Sequence, residues 1–549
     1  MYYLVGGILR IFQTMLKTIP NERLALILIL LCAAALRLAW LNWSLPNRFH
    51  TATYNCDEST ALTCLQAMDP SKLNFNPVSQ KHPYALVEGT FNLYTYAAAL
   101  KLASIAGWAT LTADKEFYYR NIAEMGRLFM IGRLLSALYG LLTVVLVFAL
   151  AKKMYGARTG LLAAFFTAVL PAHVVHSRYI IMNVPGVFWI VFAFLFMKNI
   201  LEGGRTRDYI LAGVGLGLAA ATRLSGAPLG LMLFPAHFMS PAPGRSLKRL
   251  SLAVAAAFLV FLIGDPYAIL DFPDFLKGMK LLNTLTTSAV KLSFYGHLSI
   301  LAGSLTEALG LPLLLTCMAG IAAALAARTR NDLLLLAWIF LLFICFYRAG
   351  ENAYPSRILP ALPFMLILAA ALLARAWDRK PWLARAALAA TAAQAVVFYA
   401  AYFSLLSRAD IRDTASSWIT TSIKPGSSIG LLREPSYFSP GVIDRKYRHP
   451  DHDQLPDYKF IALTGGYWLA EPGYELLGKV KPDYVIATDF ETGSRLEPDF
   501  LKTLDKYGYR EIKRFEEEFS VLNFRIAKKI PAMLYTPNYI YVFEKSGRN

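Results

Sequence analysis

Apolar runs of helix-forming length recur along the first 405 residues of the chain and then stop. They lie at 24–41, 128–151, 159–175, 184–201, 209–224, 226–240, 250–270, 300–327, 333–347, 356–375 and 383–404. Most approach the length at which a helix crosses the ~30 Å hydrocarbon core of a bilayer. Beyond residue 405, Gly, Pro, Asp, Lys and Tyr become frequent and short alternating segments replace the runs. The pattern predicts a polytopic all-α membrane domain over 1–405 and a soluble α/β domain over 406–549. In the tail, 428–432, 459–463, 484–487 and 539–543 read as strands between Pro/Gly turns, 500–507 as a helix, and Trp418-Ile419 as part of another.

Composition agrees with the pattern. A chain of 549 residues that is 56% hydrophobic, with mean hydropathy +0.42, is too apolar for a soluble protein and too long for one core. The net charge of +18 would raise nucleic acid as a partner. Many of the basic residues fall in short loops between spans, however, and the chain has no paired Cys/His finger and no aromatic-basic RNA motif, so no nucleic-acid partner is expected.

The basic clusters set the topology. Arg10 and Lys17 precede the first span; Lys152, Lys153 and Arg158, then Arg205 and Arg207, then Arg245, Lys248 and Arg249 separate later ones. Arg328 and Arg330, and finally Arg375, Arg379, Lys380 and Arg385, complete the series. All are expected on the cytoplasmic side. That requires about eleven spans, with 85–106 lying in the interface as an amphipathic or re-entrant helix; thirteen spans with a different pairing is the alternative. The first span reads as a retained anchor. An outer loop over 42–107 and the tail then share the non-cytoplasmic side.

That side collects the chemistry. Asp57-Glu58 follows the first span directly, and carboxylates so close to a bilayer are costly to hold. Lys81, His82 and Glu88 belong to the same loop. His173, His176, Arg178 and Asn183 surround the end of the third span; Arg223 ends the fifth; Asp265 and Asp271 open the loop after the seventh; Arg348, Glu351, Asn352, Tyr354 and Arg357 follow the ninth. A carboxylate can act as a general base or hold a metal, and arginines at a membrane surface can hold a phosphate. This set fits attack by an acceptor on a sugar carried by a polyprenyl phosphate.

Each residue also has a plainer reading. Asp57 could cap a helix with Glu58 in its first turn. Glu88 could pair with Lys81 or His82 at the surface. His173 and His176 lack a full ligand set. Arg178 and Arg223 could reach for headgroups, and Asp265 and Asp271 could cap turns. Cys32, Cys317 and Cys345 read as small core residues; Cys56 and Cys64 either pair in an oxidising compartment or stay apart.

Several segments, in order, resemble the superfamily of dolichyl-phosphate-mannose protein mannosyltransferases and the bacterial aminoarabinose transferases of lipid A. They are Asp57-Glu58 followed by Lys81-His82-Pro83, the stretch Gly132-Arg133-Leu134-Leu135-Ser136-Ala137-Leu138-Tyr139-Gly140, and Leu170-Pro171-Ala172-His173 with Ser177-Arg178. Tyr354-Pro355-Ser356-Arg357 through Pro363 follows, and then Asp413 to Ile419 with Lys424-Pro425-Gly426-Ser427. The likeness covers about 24–430.

The resemblance implies a GT-C fold and an inverting glycosyltransferase; the charge topology puts the active site and C-terminal domain outside, and short loops with a compact tail suggest a bacterial plasma membrane. Its partners would be membrane lipids, a polyprenyl-phosphate sugar donor and a glycan, lipid or protein acceptor. It assigns Asp57 and Glu58 to catalysis. Arg357 and Arg178 fall to the donor phosphate, with Arg348 and Lys81 as further candidates. It makes Glu88 a candidate donor- or metal-site carboxylate, with His82 (or structural before Pro83) and Asn183 as further substrate- or metal-site candidates, and Asp57 and Glu88 would hold a divalent metal if one is used. One position departs: many relatives carry a second Asp after the third span where this chain has Asn183, which cannot serve as a base and ligates metal weakly. The competing reading is a transporter or flippase of lipid-linked sugars without covalent chemistry, which would favour internal repeats and midplane charges; the chain shows neither. A lipid phosphatase is a third, weaker reading.

Overall fold

The computed structural model describes residues 22–80, 82–241, 245–287, 293–347, 355–432, 437, 439–441, 456–463, 475–489, 498–521 and 524–546. The chain forms two compact units. The first comprises Met1–Ala39, Thr60–Ala99 and Gly132–Tyr399; the second comprises Trp40–Ser59, Leu100–Ile131 and Ala400–Asn549.

The helices that carry the argument are α1 (Glu22–Leu38), α2 (Cys56–Ala67), α3 (Ala85–Glu88), α4 (Phe91–Ile105), α5 (Ile122–Tyr155), α6 (Ala157–Val169) and α7 (Pro171–His176). They continue with α8 (Asn183–Leu201), α9 (Thr206–Thr222), α10 (Leu247–Gly264), α11 (Phe272–Thr287), α12 (Phe294–Leu309) and α13 (Leu311–Ala327). The last are α14 (Arg330–Tyr347), α15 (Leu362–Arg379), α16 (Pro381–Leu406), α17 (Ile411–Ser422) and α18 (Pro498–Lys506). Among the described residues, four helices are long and apolar enough to cross a membrane: Ile122–Tyr155, Asn183–Leu201, Leu247–Gly264 and Pro381–Ser422, the last taking in α17. Counting α12 and α13 as one bent span gives five.

Three expected spans are broken. The run 300–327 is two helices meeting at 113°, because Gly310 takes a left-handed φ of 74° and Pro312 starts a new helix. The run 159–175 stops at Val169 and restarts at Pro171, whose ring occupies the first turn of α7. The run 226–240 is a 3-10 helix, Leu224–Met232 with Pro228 inside it, followed by a single α-turn, Leu233–Phe238. The segment 85–106 is likewise divided, into α3 and the 15-residue α4. At 1.5 Å per residue α4 is about 22 Å long, less than the ~30 Å core.

Within the first unit α6 and α15 are wrapped by neighbours. Leu362 to Ala371 are all buried, as a helix apolar on every side requires. Helices α9 and α10 approach closely through Gly213 and Gly217: a Cβ there would fall 2.2 Å from the Ala253 carbonyl oxygen and 2.5 Å from that of Ala257. Cys317 is buried, Cys32 and Cys345 lie on exposed helix faces, and Cys64 is a free, buried thiol rather than half of a disulfide.

The two ends of this unit differ in character. At one end Lys152 pairs with Glu22 at 2.5 Å, Arg158 with Asp378 at 2.6 Å and Lys198 with Glu202 at 2.8 Å. Lys153 bonds Asn199, Tyr155 donates to Asp332 at 2.7 Å, and Arg249 donates to the Gly204 carbonyl at 3.0 Å. Clusters from five separate loops thus meet. The opposite helix ends carry His176, Asn183, Arg223 and Asp265.

The second unit holds a five-stranded sheet, ordered β2-β1-β3-β7-β4, and a two-stranded β5-β6 ribbon. The strands are β1 (Ser428–Leu431), β2 (Lys459–Ala462), β3 (Tyr484–Thr488), β4 (Tyr509–Glu516), β5 (Phe519–Val521), β6 (Phe524–Ala527) and β7 (Tyr539–Lys545). β1 pairs in parallel with β2 and β3, with Ile429 opposite Phe460 and Tyr484; β7 runs antiparallel between β3 and β4. One sheet face packs Ile429, Ile486, Ile540 and Val542 on Ile411, Ala415 and Ile419 of α17. The other packs Val485, Ala487 and Phe543 on Phe500 and Leu504 of α18. The sequence pattern missed β4–β6.

Candidate active site

Asp57 and Glu58 stand in the first turn of α2. The cap is Asn55, whose Oδ1 accepts the Asp57 backbone N–H at 3.0 Å, so Asp57 itself does not cap. Asn55 is 2% exposed and Glu58 fully buried, whereas Asp57 is half-buried. The local sequence dictates this: Asn at the cap leaves the next two acidic residues on the positive end of the helix.

In the first unit, the polar helix ends form a second group. Gly89, at φ 96°, presses the turn between α3 and α4 onto the end of α9; a Cβ there would lie 2.5 Å from the Thr222 carbonyl. This brings the Glu88 turn to Thr222-Arg223. Glu88 is half-buried and faces Cys64 of α2, whose thiol is pushed up to about 12 by burial and then by the Glu88 charge. Next to Glu88, Thr90 donates to the Gly264 carbonyl at 2.7 Å and lies 3.0 Å from Asp265 Oδ1. Burial pushes the Asp265 carboxyl up to about 7, against hydrogen bonds from Thr90 and the Ala268 N–H. When protonated, it can donate a hydrogen bond to the Thr90 hydroxyl.

Arg223 completes the group by donating to Asn183 Oδ1, with buried His176 within electrostatic reach. Arg223 is thus held by a neutral amide. Asp271 is held by Asn76, whose side-chain amide donates to it at 2.7 Å.

The predicted phosphate-binding residues are differently placed. Arg178 is 4% exposed and caps a helix: its NH1 donates to the Leu36 and Arg37 carbonyls, both at 3.3 Å, and to that of Ala39 at 2.5 Å. Arg37, fully buried, does the same for the break before Pro171, donating to the Ala168 and Thr167 carbonyls at 3.1 and 3.4 Å and approaching His173 Nδ1 at 2.9 Å. Pro171 has no N–H to offer Thr167, which leaves that carbonyl for Arg37. Arg357 is half-buried on a short helix, Pro355–Ile358, that packs against α7. The backbone N–H of His82 donates to Ser79, and its ring meets Tyr84 edge-on at 6.0 Å. Lys81 and Arg348 lie outside the described residues.

A metal does not fit what is described. Arg223 occupies the Asn183 oxygen, and among the described residues no three His, Cys, Asp or Glu side chains converge as ligands. No step below passes through a metal.

Residues 123–269 match the model of the dolichyl-phosphate-mannose-protein mannosyltransferase family. No curated protein matches the chain by sequence. Among solved structures, ArnT from Cupriavidus metallidurans bound to undecaprenyl phosphate aligns at TM-score 0.51 and 14% identity, over 94% of this chain and 97% of that one. The Archaeoglobus fulgidus oligosaccharyltransferase aligns at TM-score 0.50 and 14% identity, over 93% of this chain and 76% of that one. The chain has the GT-C fold.

The GT-C resemblance read from the ordered sequence segments therefore stands, as does a mostly helical body with a small C-terminal sheet domain. In the sequence Asp265 and Arg223 stood among the outer-face polar residues, with a turn cap and a headgroup contact as their plainer readings. Their signal was the Gly264-Asp265-Pro266 and Thr222-Arg223 helix ends, where a polar residue closes an apolar run.

Proposed function

We propose that this GT-C protein is an inverting glycosyltransferase. It moves a sugar from a polyprenyl-phosphate donor to an acceptor at the outer face of a bacterial plasma membrane, the chain crossing about eleven times. The observation that carries the reading is half-buried Asp57, its backbone held in the first turn of α2 by the buried Asn55 cap. The matched family is named for a dolichyl-phosphate sugar and the ArnT structure holds undecaprenyl phosphate; both support this donor class.

In the reaction Asp57 takes the proton of the acceptor's nucleophilic group. The nucleophile attacks the anomeric carbon opposite the phosphate, the bond from that carbon to the phosphate oxygen breaks, and polyprenyl phosphate leaves with the electron pair. Buried Glu58 stands beside the base. Arg357, with Lys81 and Arg348, neutralises the leaving phosphate, and Glu88 and His82 face the sugar or acceptor. Arg178 is kept as a structural cap, since its guanidinium already serves the end of α1.

The test is transfer of label from radiolabelled polyprenyl-phosphate sugars into membrane extract. Asp57→Asn should lower transfer by about 10²–10⁴-fold, the usual contribution of a general base. Normal transfer by this variant would remove Asp57 from the chemistry. Intact donor with the unsubstituted chain, but donor moved across the bilayer, would make the chain a flippase.

A further inference from the structure

Residues 40–59, which carry Asp57, fold in one unit with the C-terminal domain. What joins them is a buried polar strap. Both oxygens of Asp413 are taken by this loop: Tyr54 donates its hydroxyl to Oδ1 at 2.7 Å, and Asn47 donates its amide to Oδ2 at 2.8 Å. His50 Nε2 lies 3.3 Å from Oδ1. The adjacent Arg412 sits 3.9 Å from the centre of the Tyr54 ring and is locked to Asp410 by two bonds of 2.8 and 2.7 Å. Arg412 and Asp410 are 1% exposed at their side chains.

Around this centre, Trp43 donates to the Arg408 carbonyl at 3.2 Å, and Trp40 stacks on Phe403 at 5.1 Å. Gly441 lies so close that a Cβ would be 3.1 Å from the Tyr54 hydroxyl. Burial alone would raise the Asp413 carboxyl. The bonds from His50, Tyr54 and Asn47 outweigh it and hold the group below its ordinary range. The strap is therefore anionic, and its donors come from one loop.

Its position matters. Tyr54 precedes the cap residue Asn55 by one residue and Asp57 by three, so movement of Tyr54 passes directly to the cap. We infer that Asp413, through Tyr54, Asn47 and His50, is a positioning residue for Asp57, and that the C-terminal domain sets where the catalytic carboxylate stands. This rests on the role of Asp57 proposed above and goes beyond it by assigning a catalytic contribution to the C-terminal domain.

The experiment uses the full chain in lipid nanodiscs. Hydrogen exchange of 44–59 is read beside transfer kinetics with whichever radiolabelled polyprenyl-phosphate sugar the unsubstituted chain accepts. Asp413→Asn weakens the strap; Tyr54→Phe removes one hydroxyl but keeps the ring on Arg412 and His50, and so folds. Both should speed exchange in 44–59 while leaving exchange in the sheet unchanged. Both should lower kcat, by up to about 100-fold for a carboxylate displaced by ~1 Å, with KM for the donor within about twofold, since only the base is misplaced. Glu511→Gln, on the exposed face of β4, is the control that changes neither.

Unchanged kcat despite faster loop exchange would overturn the inference, as would a fall in kcat matched by exchange throughout the domain. Asp57→Asn in the same assay separates the two layers. If it is inactive while the strap variants turn over normally, only the positioning role fails. If it is active, the role of Asp57 fails first.

Discussion

Two buried arginines, one in each unit, are satisfied in opposite ways. Arg37 in the helical unit is fully buried, and it donates to backbone carbonyls and approaches a histidine nitrogen. Arg412 in the C-terminal unit is 1% exposed and holds Asp410 with two charge-assisted bonds. The difference follows from what each fold leaves over. A helix broken at Pro171 exposes carbonyls that no N–H reaches, and a guanidinium with five donors fits that need. In the sheet domain the strands satisfy most carbonyls in the ladder, and Arg412 is matched mainly by an opposite charge, with one further bond to the Tyr437 carbonyl.

The comparison breaks hardest at Arg412. Arg412→Met strands the Asp410 carboxylate and should cost about 3–5 kcal/mol of domain stability, as removal of one partner from a buried pair does. The double change Arg412→Met with Asp410→Asn should recover much of it. A calorimetric melt of the full chain reads both, and equal losses for the single and double variants would refute the pair. Arg37→Met leaves neutral carbonyls behind and should cost less, about 1–3 kcal/mol.

A titration sharpens the contrast. Asp265 has its folded carboxyl at about 7 against the ordinary ~4, so the folded state binds the extra proton between those values. Stability must then fall as pH rises from ~4 to ~7 and level off above. Melts across this range should show a slope that Asp265→Asn removes; a slope kept by the variant assigns it elsewhere.

A smaller effect concerns Asn183→Asp. It would turn the amide partner of Arg223 into an ionic one, for a gain of up to about 1 kcal/mol at this partly exposed arginine. Smallest is Arg158→Ala at the other end of the helices, whose pair with Asp378 is exposed and worth under about 1 kcal/mol.

The parts legible from sequence were those governed by one local rule. Long apolar runs gave α5, α8 and α16, and Pro/Gly punctuation gave β1, β2, β3 and β7 within a residue or two. The breaks at Gly310 and Pro171 were hidden because apolar character continues through both; the punctuation was present but overruled by run length. Strand β4 escaped because Arg510, Glu511, Lys513 and Arg514 give it no apolar alternation, which an exposed edge strand can do without.

At the site, the acidic pair was visible from its place after the first span. For Arg178 the sequence left two readings open: beside a membrane, a cation that caps a helix and one that binds phosphate look alike until its carbonyl partners are seen. The strap on Asp413 was invisible because its halves lie 359 residues apart.

That separation governs how the protein is born. The ribosome releases Tyr54 early, and at ~5–20 residues per second its partner follows about 20–70 s later. The wait extends further, since β7, the last strand in sequence, fills the slot between β3 and β4. Until it is threaded in, the loop bearing Asp57 has no finished surface to fasten to. On the role proposed for Asp57, its carboxylate would stay unset until β7 has been made.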